Sequence, residues 1–178
     1  MSENTSTEDT ERGWTVRPET DADRRAVHRV NAAAFPTPAE ADLVDALRAD
    51  PAWLPGLSWV AEGPDGEVIG YALITRCTVG GADALALAPV AVLPGHQRTG
   101  VGGAVVEAAL QAARERGEAL VTVLGHPEYY PRFGFVRAST LGIGVAFEVP
   151  DEALMALVLD GSGPLPSGTI QYAAPFGV

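Results

Sequence analysis

The sequence predicts a mixed α/β (α+β) domain, in which helices flank a mostly antiparallel sheet with one parallel strand pair at its centre. Two patterns support this fold class. The turn GPDG at 63–66 separates two apolar segments, which is typical of an antiparallel hairpin. Further on, a strand-like segment at 82–92, a glycine-rich loop, a helical pattern at 102–117 and an apolar segment at 118–126 form a βαβ crossover, whose strands run parallel.

The elements before the hairpin are a short strand and two helices. WTVRP at 14–18 is the strand candidate. Residues 20–35 follow with a helical pattern, for which Thr20 or Asp21 is the expected cap. A second amphipathic helix is predicted at 38–50.

The crossover helix and the C-terminal third complete the predicted fold. The helix carries one apolar face, formed by Val101, Val105, Ala108 and Ala112. Three later segments, at 143–149, 153–159 and 168–176, are strand-like. The period of 153–159 fits either helix or strand. The Gly/Pro-rich stretch DGSGPLPSG after it favours a strand, joined through a hairpin to 168–176.

Composition sets the broad class of the protein. The opening residues 1–12 are polar and predict a disordered tail, followed by a single domain at 13–178. No apolar run is long enough for a membrane span, and no signal peptide is expected. The single cysteine, Cys77, excludes an internal disulfide framework, and the scattered histidines show no metal-ligand spacing. We therefore expect a cytoplasmic protein without a metal site.

Charge restricts the partners. The net charge of −11 argues against nucleic acid as a ligand. The segment 98–137 departs from this balance, because it carries five arginines and four glutamates. It therefore suits an anionic ligand. All twelve basic side chains are arginine, which excludes lysine Schiff-base chemistry. Ten acidic residues between Glu19 and Glu67 hint at a cationic substrate.

The loop LPGHQRTGVGGAV at 93–105 opens the crossover helix and is typical of an anion site. Free amides and the positive end of a helix meet at such a loop. Three anions are candidates: a dinucleotide, a nucleoside triphosphate and the pyrophosphate of coenzyme A. The dinucleotide fingerprint fails at its third glycine, where Val105 stands. The triphosphate loop requires a lysine, which this sequence lacks.

Pro89 favours coenzyme A. A proline within a strand removes a ladder hydrogen bond and indicates a bulge or a separation from the neighbouring strand. We expect it to part the strand at 82–92 from the strand at 118–126. The wedge between them would accept an extended, amide-bearing arm such as pantetheine.

These residues resemble the acyl-CoA signature of the GNAT superfamily of N-acetyltransferases. Its core, [Gln/Arg]-x-x-Gly-x-[Gly/Ala], is matched by Gln97, Gly100 and Gly102. The second signature, a tyrosine four residues before a Gly-Phe pair, is matched by Tyr130. The resemblance covers roughly residues 14–137, and YYPRFGF is similar to a bacterial subgroup with a YYxRFGF motif.

The resemblance implies acetyl-CoA as cosubstrate and a set of binding residues. Backbone groups of Val90 and Val92 would pair with pantetheine, and an amide near Val90 or Ala91 would polarise the acyl carbonyl. Gln97 belongs to the signature itself. The pyrophosphate would rest on the N–H groups of six consecutive residues: Arg98, Thr99, Gly100, Val101, Gly102 and Gly103.

The resemblance also implies catalytic roles. Tyr130 is the expected hydrogen-bond donor or acid for the leaving thiolate. The strand carries only Ala and Leu at 84–88, so a strand-borne glutamate base is missing. His126 is the candidate base, with Glu128 or a water chain as alternatives.

Two functions from different classes stay open. The first is an N-acetyltransferase acting on a small-molecule or protein amine. The second is a non-catalytic acyl-CoA-binding or regulatory module of the same fold. No nucleic acid or membrane partner is expected, and the apolar C-terminal strands allow a homodimer.

Overall fold

The computed structural model describes residues 13–178, so the predicted tail at 1–12 lies outside the described part. The strands are β1 (Thr15–Pro18), β2 (Trp53–Glu62), β3 (Val68–Val79), β4 (Ala82–Val92), β5 (Leu120–Leu124), β6 (Val136–Arg137), β7 (Ile143–Gly144), β8 (Leu154–Val158) and β9 (Gly168–Gln171). The helices are α1 (Arg24–Ala34), α2 (Ala39–Arg48) and α3 (Val101–Glu115). Short 3₁₀ turns connect several of these elements.

The sheet follows the order β1-β2-β3-β4-β5-β8-β6. Its neighbouring strands are antiparallel except at the centre, where β4 and β5 run parallel. Beside this path, β9 pairs with the end of β3 and also with β7. The predicted fold class, a mostly antiparallel sheet with a central parallel pair, is confirmed.

The predicted hairpin joins β2 to β3. Its turn closes where the Gly66 N–H donates to Gly63 O at 3.0 Å, and Gly66 has a φ of 83°. A positive φ is the conformation that glycine adopts without a Cβ penalty. Local sequence therefore determines this connection, as the GPDG turn predicts.

Helix α3 packs on the sheet through an apolar face. Its buried residues are Val101, Val105, Val106, Ala109, Leu110 and Ala113. Full burial of a valine or leucine side chain contributes about 1.5–3 kcal/mol. The predicted face is partly wrong, because Ala108 and Ala112 lie at its half-buried margin. Gly70 of β3 leaves room for the start of this face, because a Cβ added there would lie 2.5 Å from Cγ1 of Val101.

The opposite face of the sheet is covered by α1, α2 and the C-terminal segment. Before α1, the Thr20 N–H donates to the Asp23 carboxylate at 2.7 Å, in agreement with the predicted cap. Asp23 also accepts two hydrogen bonds from Arg17, at 2.7 and 2.9 Å. Arg17 donates in turn to Glu62 at 2.7 Å, so β1, β2 and α1 are joined by one ionic cluster. Across residues 13–178, no helix has the length and apolar character needed to cross a bilayer.

The C-terminal third differs from its prediction in connectivity. The strand β8 forms as expected, but it lies between β5 and β6 and does not form a hairpin with β9. All but the last of its residues are buried, so β8 takes an interior position of the sheet. The linker after it carries the chain across to β3. The predicted strands at 143–149 and 168–176 are shorter, because pairing ends at Gly144 and Gln171.

Candidate active site

A gap between β4 and β5 is the central feature of the site. Within residues 13–178, these strands pair only at Leu85–Val121 and Ala86–Thr122. Pro89 lies beyond this short contact, where the register of β4 against β3 shifts by one residue. A proline at such a bulge lacks the N–H that would otherwise pair with a neighbour. The strands therefore part on the Pro89 side, and we call the space the β4–β5 gap.

The glycine-rich loop follows directly after β4. It is held against the strand by Gln97, whose Nε2 donates to Val92 O at 3.2 Å. The loop then bends sharply, since Arg98 and Gly100 have φ values of 62° and 98°. Thr99 secures the bend by donating its hydroxyl to His96 O. Gln97 and Thr99 thus support the loop through their side chains, which leaves the backbone amides to a ligand.

The start of α3 presents unpaired amides. The first helical hydrogen bond runs from the Ala104 N–H to Gly100 O at 3.0 Å. The amides of Val101, Gly102 and Gly103 therefore have no acceptor within the helix, and the positive end of the helix dipole lies at the same place. This arrangement suits an anion.

Tyr129 reaches this helix end, although the sequence motifs do not single it out. A Cβ added at Gly102 would lie 3.3 Å from the Tyr129 hydroxyl and 3.3 Å from Cγ2 of Val92. The Arg132 guanidinium stacks 4.1 Å from the centroid of the Tyr129 ring. Burial raises the pKa of Tyr129, so its hydroxyl remains a donor beside the free amides.

Tyr130 lies deeper, and the residue is only 9% exposed. It packs edge-to-face against Phe135 and Tyr129, with ring centroids 5.8 and 5.1 Å apart. Burial raises its pKa to about 12. The ring also lies over Gly125, the residue after β5, because a Cβ there would be 2.4 Å from Cε2 of Tyr130. Tyr130 therefore borders the end of β5, beyond the last pair that β5 forms with β4.

His126 is exposed in the turn that follows β5. Its carbonyl accepts the amides of Tyr129 and Tyr130 at 3.1 and 3.4 Å, which holds both tyrosines in place. Glu128 is exposed in the same turn. Cys77 is buried, and burial raises the pKa of its thiol to about 11, so its reactive thiolate form is disfavoured.

The β4–β5 gap leads to a cavity of about 280 Å³, here called the inter-strand cavity. Its strand residues are Ala86, Leu87, Ala88, Thr122, Val123 and Leu124. The C-terminal segment supplies the remainder: Phe147, Tyr172, Phe176 and Val178. None of these lining side chains carries a charge. The sequence gives no signal for this wall, because its residues meet only when the chain returns across the sheet.

Three arginines near α3 add positive charge. Within residues 13–178, Arg98, Arg114 and Arg132 form no ion pair. Arg114 and Arg132 line one groove of about 320 Å³ beside the helix, together with a single glutamate, Glu107. In an acidic protein, these unpaired cations form a local field that attracts anions.

The fold and this site define a class of protein. The sequence profile of the Acetyltransferase (GNAT) family matches residues 24–135, which include the β4–β5 gap, the glycine-rich loop and both tyrosines. The chain belongs to this family. Membership of the GNAT superfamily, predicted from two short motifs, is confirmed, whereas the YYxRFGF subgroup stays a prediction.

Individual relatives agree with the family. The chain is similar to the uncharacterized N-acetyltransferase YjhQ of Escherichia coli K12, with 37% identity over 136 residues, 74% of this chain and 75% of the relative. Its fold is similar to the crystal structure of the E. coli GNAT family N-acetyltransferase YhbS in complex with CoA, with a TM-score of 0.85, 28% identity, and coverage of 93% and 92% of the two chains. A GNAT family acetyltransferase from Brucella melitensis in complex with acetyl-CoA gives a TM-score of 0.75, 32% identity, and coverage of 92% and 97%.

Proposed function

We propose that this chain is an acyl-CoA-dependent N-acyltransferase, which transfers an acetyl group from acetyl-CoA to an amine by direct attack in a ternary complex. The observation that carries the proposal is the β4–β5 gap, which opens beside the free amides at the start of α3. CoA and acetyl-CoA in the two solved relatives support the same donor for this chain.

The donor would bind along β4 and the glycine-rich loop. One edge of β4 pairs with β3 at Val90, Ala91 and Val92, while the other edge faces the gap. Backbone groups on that free edge are the proposed partners of the pantetheine amides. The pyrophosphate would be held by the amides from Arg98 to Gly103. The Tyr129 hydroxyl, near Gly102, adds a donor at the same place.

The chemical step forms a C–N bond and breaks a C–S bond. A neutral amine attacks the thioester carbon, while a strand amide near Val90 or Ala91 stabilises the developing oxyanion. The C–S bond then breaks, and Tyr130 donates a hydrogen bond to the leaving thiolate. His126 takes the surplus amine proton, directly or through water, and its exposed position in the turn after β5 gives it access to solvent.

Residues 13–178 act as one acyltransferase domain, and a homodimer is compatible with its apolar C-terminal strands. The acceptor is a small-molecule or protein amine. The protein works in the cytoplasm, where its single, buried cysteine stays reduced.

Calorimetric titration with acetyl-CoA, followed by assays of CoA release with a panel of amines, tests this function. Saturable binding and amine-dependent thiol release are expected. Gly100→Ala forces an alanine into a φ of 98° at the start of α3, and we expect it to weaken acetyl-CoA binding by about tenfold or more. Gly117→Ala, at a φ of 85° just after the same helix, is the matched control and keeps wild-type affinity.

Two results would contradict the proposal in different ways. If the titration shows no binding of acetyl-CoA, the protein is not an acyl-CoA-dependent enzyme. A protein that binds acetyl-CoA but transfers its acetyl group to no amine is a binding or regulatory module.

A further inference from the structure

The position of the inter-strand cavity makes it the meeting point of donor and acceptor, provided that the proposed function holds. Ala86–Thr122 is the last hydrogen-bonded pair between β4 and β5. The next residues on both strands, at 87–88 and 123–124, line the cavity. A ligand that lies along the gap from α3 therefore ends there, and the attacking amine must occupy the same space.

The wall of this cavity is aromatic. Tyr172 stands between Phe147 and Phe176, with ring centroids 6.4 and 5.4 Å apart. Burial raises the pKa of Tyr172 to about 12, so its hydroxyl stays neutral. The hydroxyl of Thr122 is already used, because it donates to Leu85 O at 3.0 Å. The side chains of the wall thus offer apolar surface and one neutral phenol.

Apolar surface is also left open to solvent at this cavity. Leu124 is 44% exposed and Phe147 is 38% exposed, and both are large side chains on the cavity wall. Their solvation is unfavourable until another apolar group covers them. A ligand with an apolar body would gain free energy here that a polycation would not.

The acidic residues that hint at a cationic acceptor are largely engaged elsewhere. Six of the ten between Glu19 and Glu67 pair with basic side chains: Glu19 with Arg48, Asp21 with Arg24, Asp23 and Glu62 with Arg17, Asp45 with His28, and Glu67 with Arg29. None of the ten lines the inter-strand cavity. Glu148, next to Phe147 in the chain, lines an adjoining groove instead.

We infer that the acceptor is a monoamine carried on an aromatic or branched aliphatic body, and that it is not a polyamine or an aminoglycoside. The inference rests on the proposed function and specifies its substrate class. A volume of about 280 Å³ holds roughly nine non-hydrogen atoms, at the ~30 Å³ that one water takes in the liquid. The acetyl group of the donor and one six-membered ring of the acceptor together have about this size.

The test compares 2-phenylethylamine with spermidine as acceptors, by CoA release from acetyl-CoA with the full chain. We expect kcat/KM to be at least tenfold higher for 2-phenylethylamine. Phe147→Asp places a carboxylate on the cavity wall without disturbing the core, and it should lower this value about tenfold or more. Leu165→Asp is the control, because Leu165 is similarly exposed, at 39%, and does not line the cavity. Glu148→Gln should leave the preference unchanged.

Results other than these contradict the inferred acceptor class, and they can be distinguished from results that contradict acetyl-CoA binding. Higher kcat/KM for spermidine, or a loss of activity in Glu148→Gln, would indicate a cationic acceptor. Equal effects of Phe147→Asp and Leu165→Asp would remove the cavity from acceptor recognition. Binding of acetyl-CoA without transfer to either amine also contradicts the inference, whereas absence of acetyl-CoA binding refutes the proposed function itself.

Discussion

Burial determines what Tyr130 can do in the proposed reaction. Its pKa of about 12 lies well above the ~8.5 of an ordinary thiol. Complete transfer of its proton to a thiolate would therefore cost about 5 kcal/mol. A hydrogen bond to the developing negative charge requires no such transfer, so Tyr130 is better suited to stabilise the thiolate than to protonate it.

The neighbouring tyrosines are expected to separate donor binding from chemistry. Tyr130→Phe should lower kcat about 10²-fold and leave acetyl-CoA affinity nearly unchanged, because it removes a hydroxyl needed only as charge develops on sulfur. Tyr129→Phe should do the reverse, because the Tyr129 hydroxyl lies at the start of α3. Steady-state kinetics and calorimetry on both variants measure the difference. Wild-type turnover in Tyr130→Phe would exclude the catalytic role.

At the scale of single residues, the sequence identifies motif residues better than the contacts that they make. Gln97, Gly100 and Tyr130 stand out because motif spacing is a local property of the chain. Tyr129 is missed, since its contact with the start of α3 depends on where the turn after β5 is placed. The only local sign is the short spacing between Tyr129 and Arg132, which allows the observed stacking.

At the scale of elements, the end of β5 determines where the Tyr130 ring lies. Gly125→Ala introduces a Cβ 2.4 Å from Cε2 of Tyr130, so the ring must move. Displacement of a catalytic group by about 1 Å can reduce rates by up to about 10²-fold. We expect kcat to fall at least tenfold with unchanged acetyl-CoA affinity, while Gly163→Ala, with no atom within 4 Å of the added Cβ, behaves as wild type.

A double variant identifies the cause. If Gly125 acts by positioning Tyr130, then Gly125→Ala has little further effect on kcat in a Tyr130→Phe background. Additive losses would instead assign Gly125 a separate role, such as space for the donor itself.

The elements divide clearly into those that the sequence predicts and those that it does not. The β2–β3 hairpin and the β4–α3–β5 crossover are predicted because turn residues and periodicity act within a few residues. The predicted pairing of β8 with β9 is wrong, because the linker after β8 is compatible either with a hairpin or with a connection that crosses the sheet. Burial on both faces, which depends on β5 and β6, decides between them.

At the scale of the whole molecule, the Arg17 cluster predicts how stability depends on pH. Hydrogen bonds from Arg17 lower the pKa of Asp23 to about 2, from about 3.9 in an unfolded chain. The stabilisation is therefore complete above pH 5 and is lost as pH falls from about 4 to 2. Asp23→Asn should cost about 1–2 kcal/mol at pH 7, and much less near pH 2.

Urea unfolding at the two pH values measures this difference. Asp21→Asn is the control, because the Asp21 side chain is 94% exposed beside Arg24, and it should cost less than about 0.5 kcal/mol. An equal loss for Asp23→Asn at both pH values would mean that packing, and not charge, makes Asp23 important.

The set of residues that forms the inter-strand cavity could not be predicted from the sequence. The inter-strand cavity draws its walls from Ala86 to Phe176, residues that are far apart along the chain. The excess of acidic residues suggests a cationic substrate, but six of the ten pair with arginine or histidine side chains, and none of the ten lines the cavity. Tertiary pairing decides which charges a ligand meets.

The two-pair contact between β4 and β5 also has a mechanical consequence. Among residues 13–178, only these two residue pairs join the part of the sheet formed by β1–β4 to the part formed by β5, β8 and β6. A bound acetyl-CoA would contact both parts of the sheet, so it would also stabilise strands that it does not touch. Hydrogen–deuterium exchange should therefore slow in β8, which lies one strand away from the gap, and the melting temperature should rise with donor concentration.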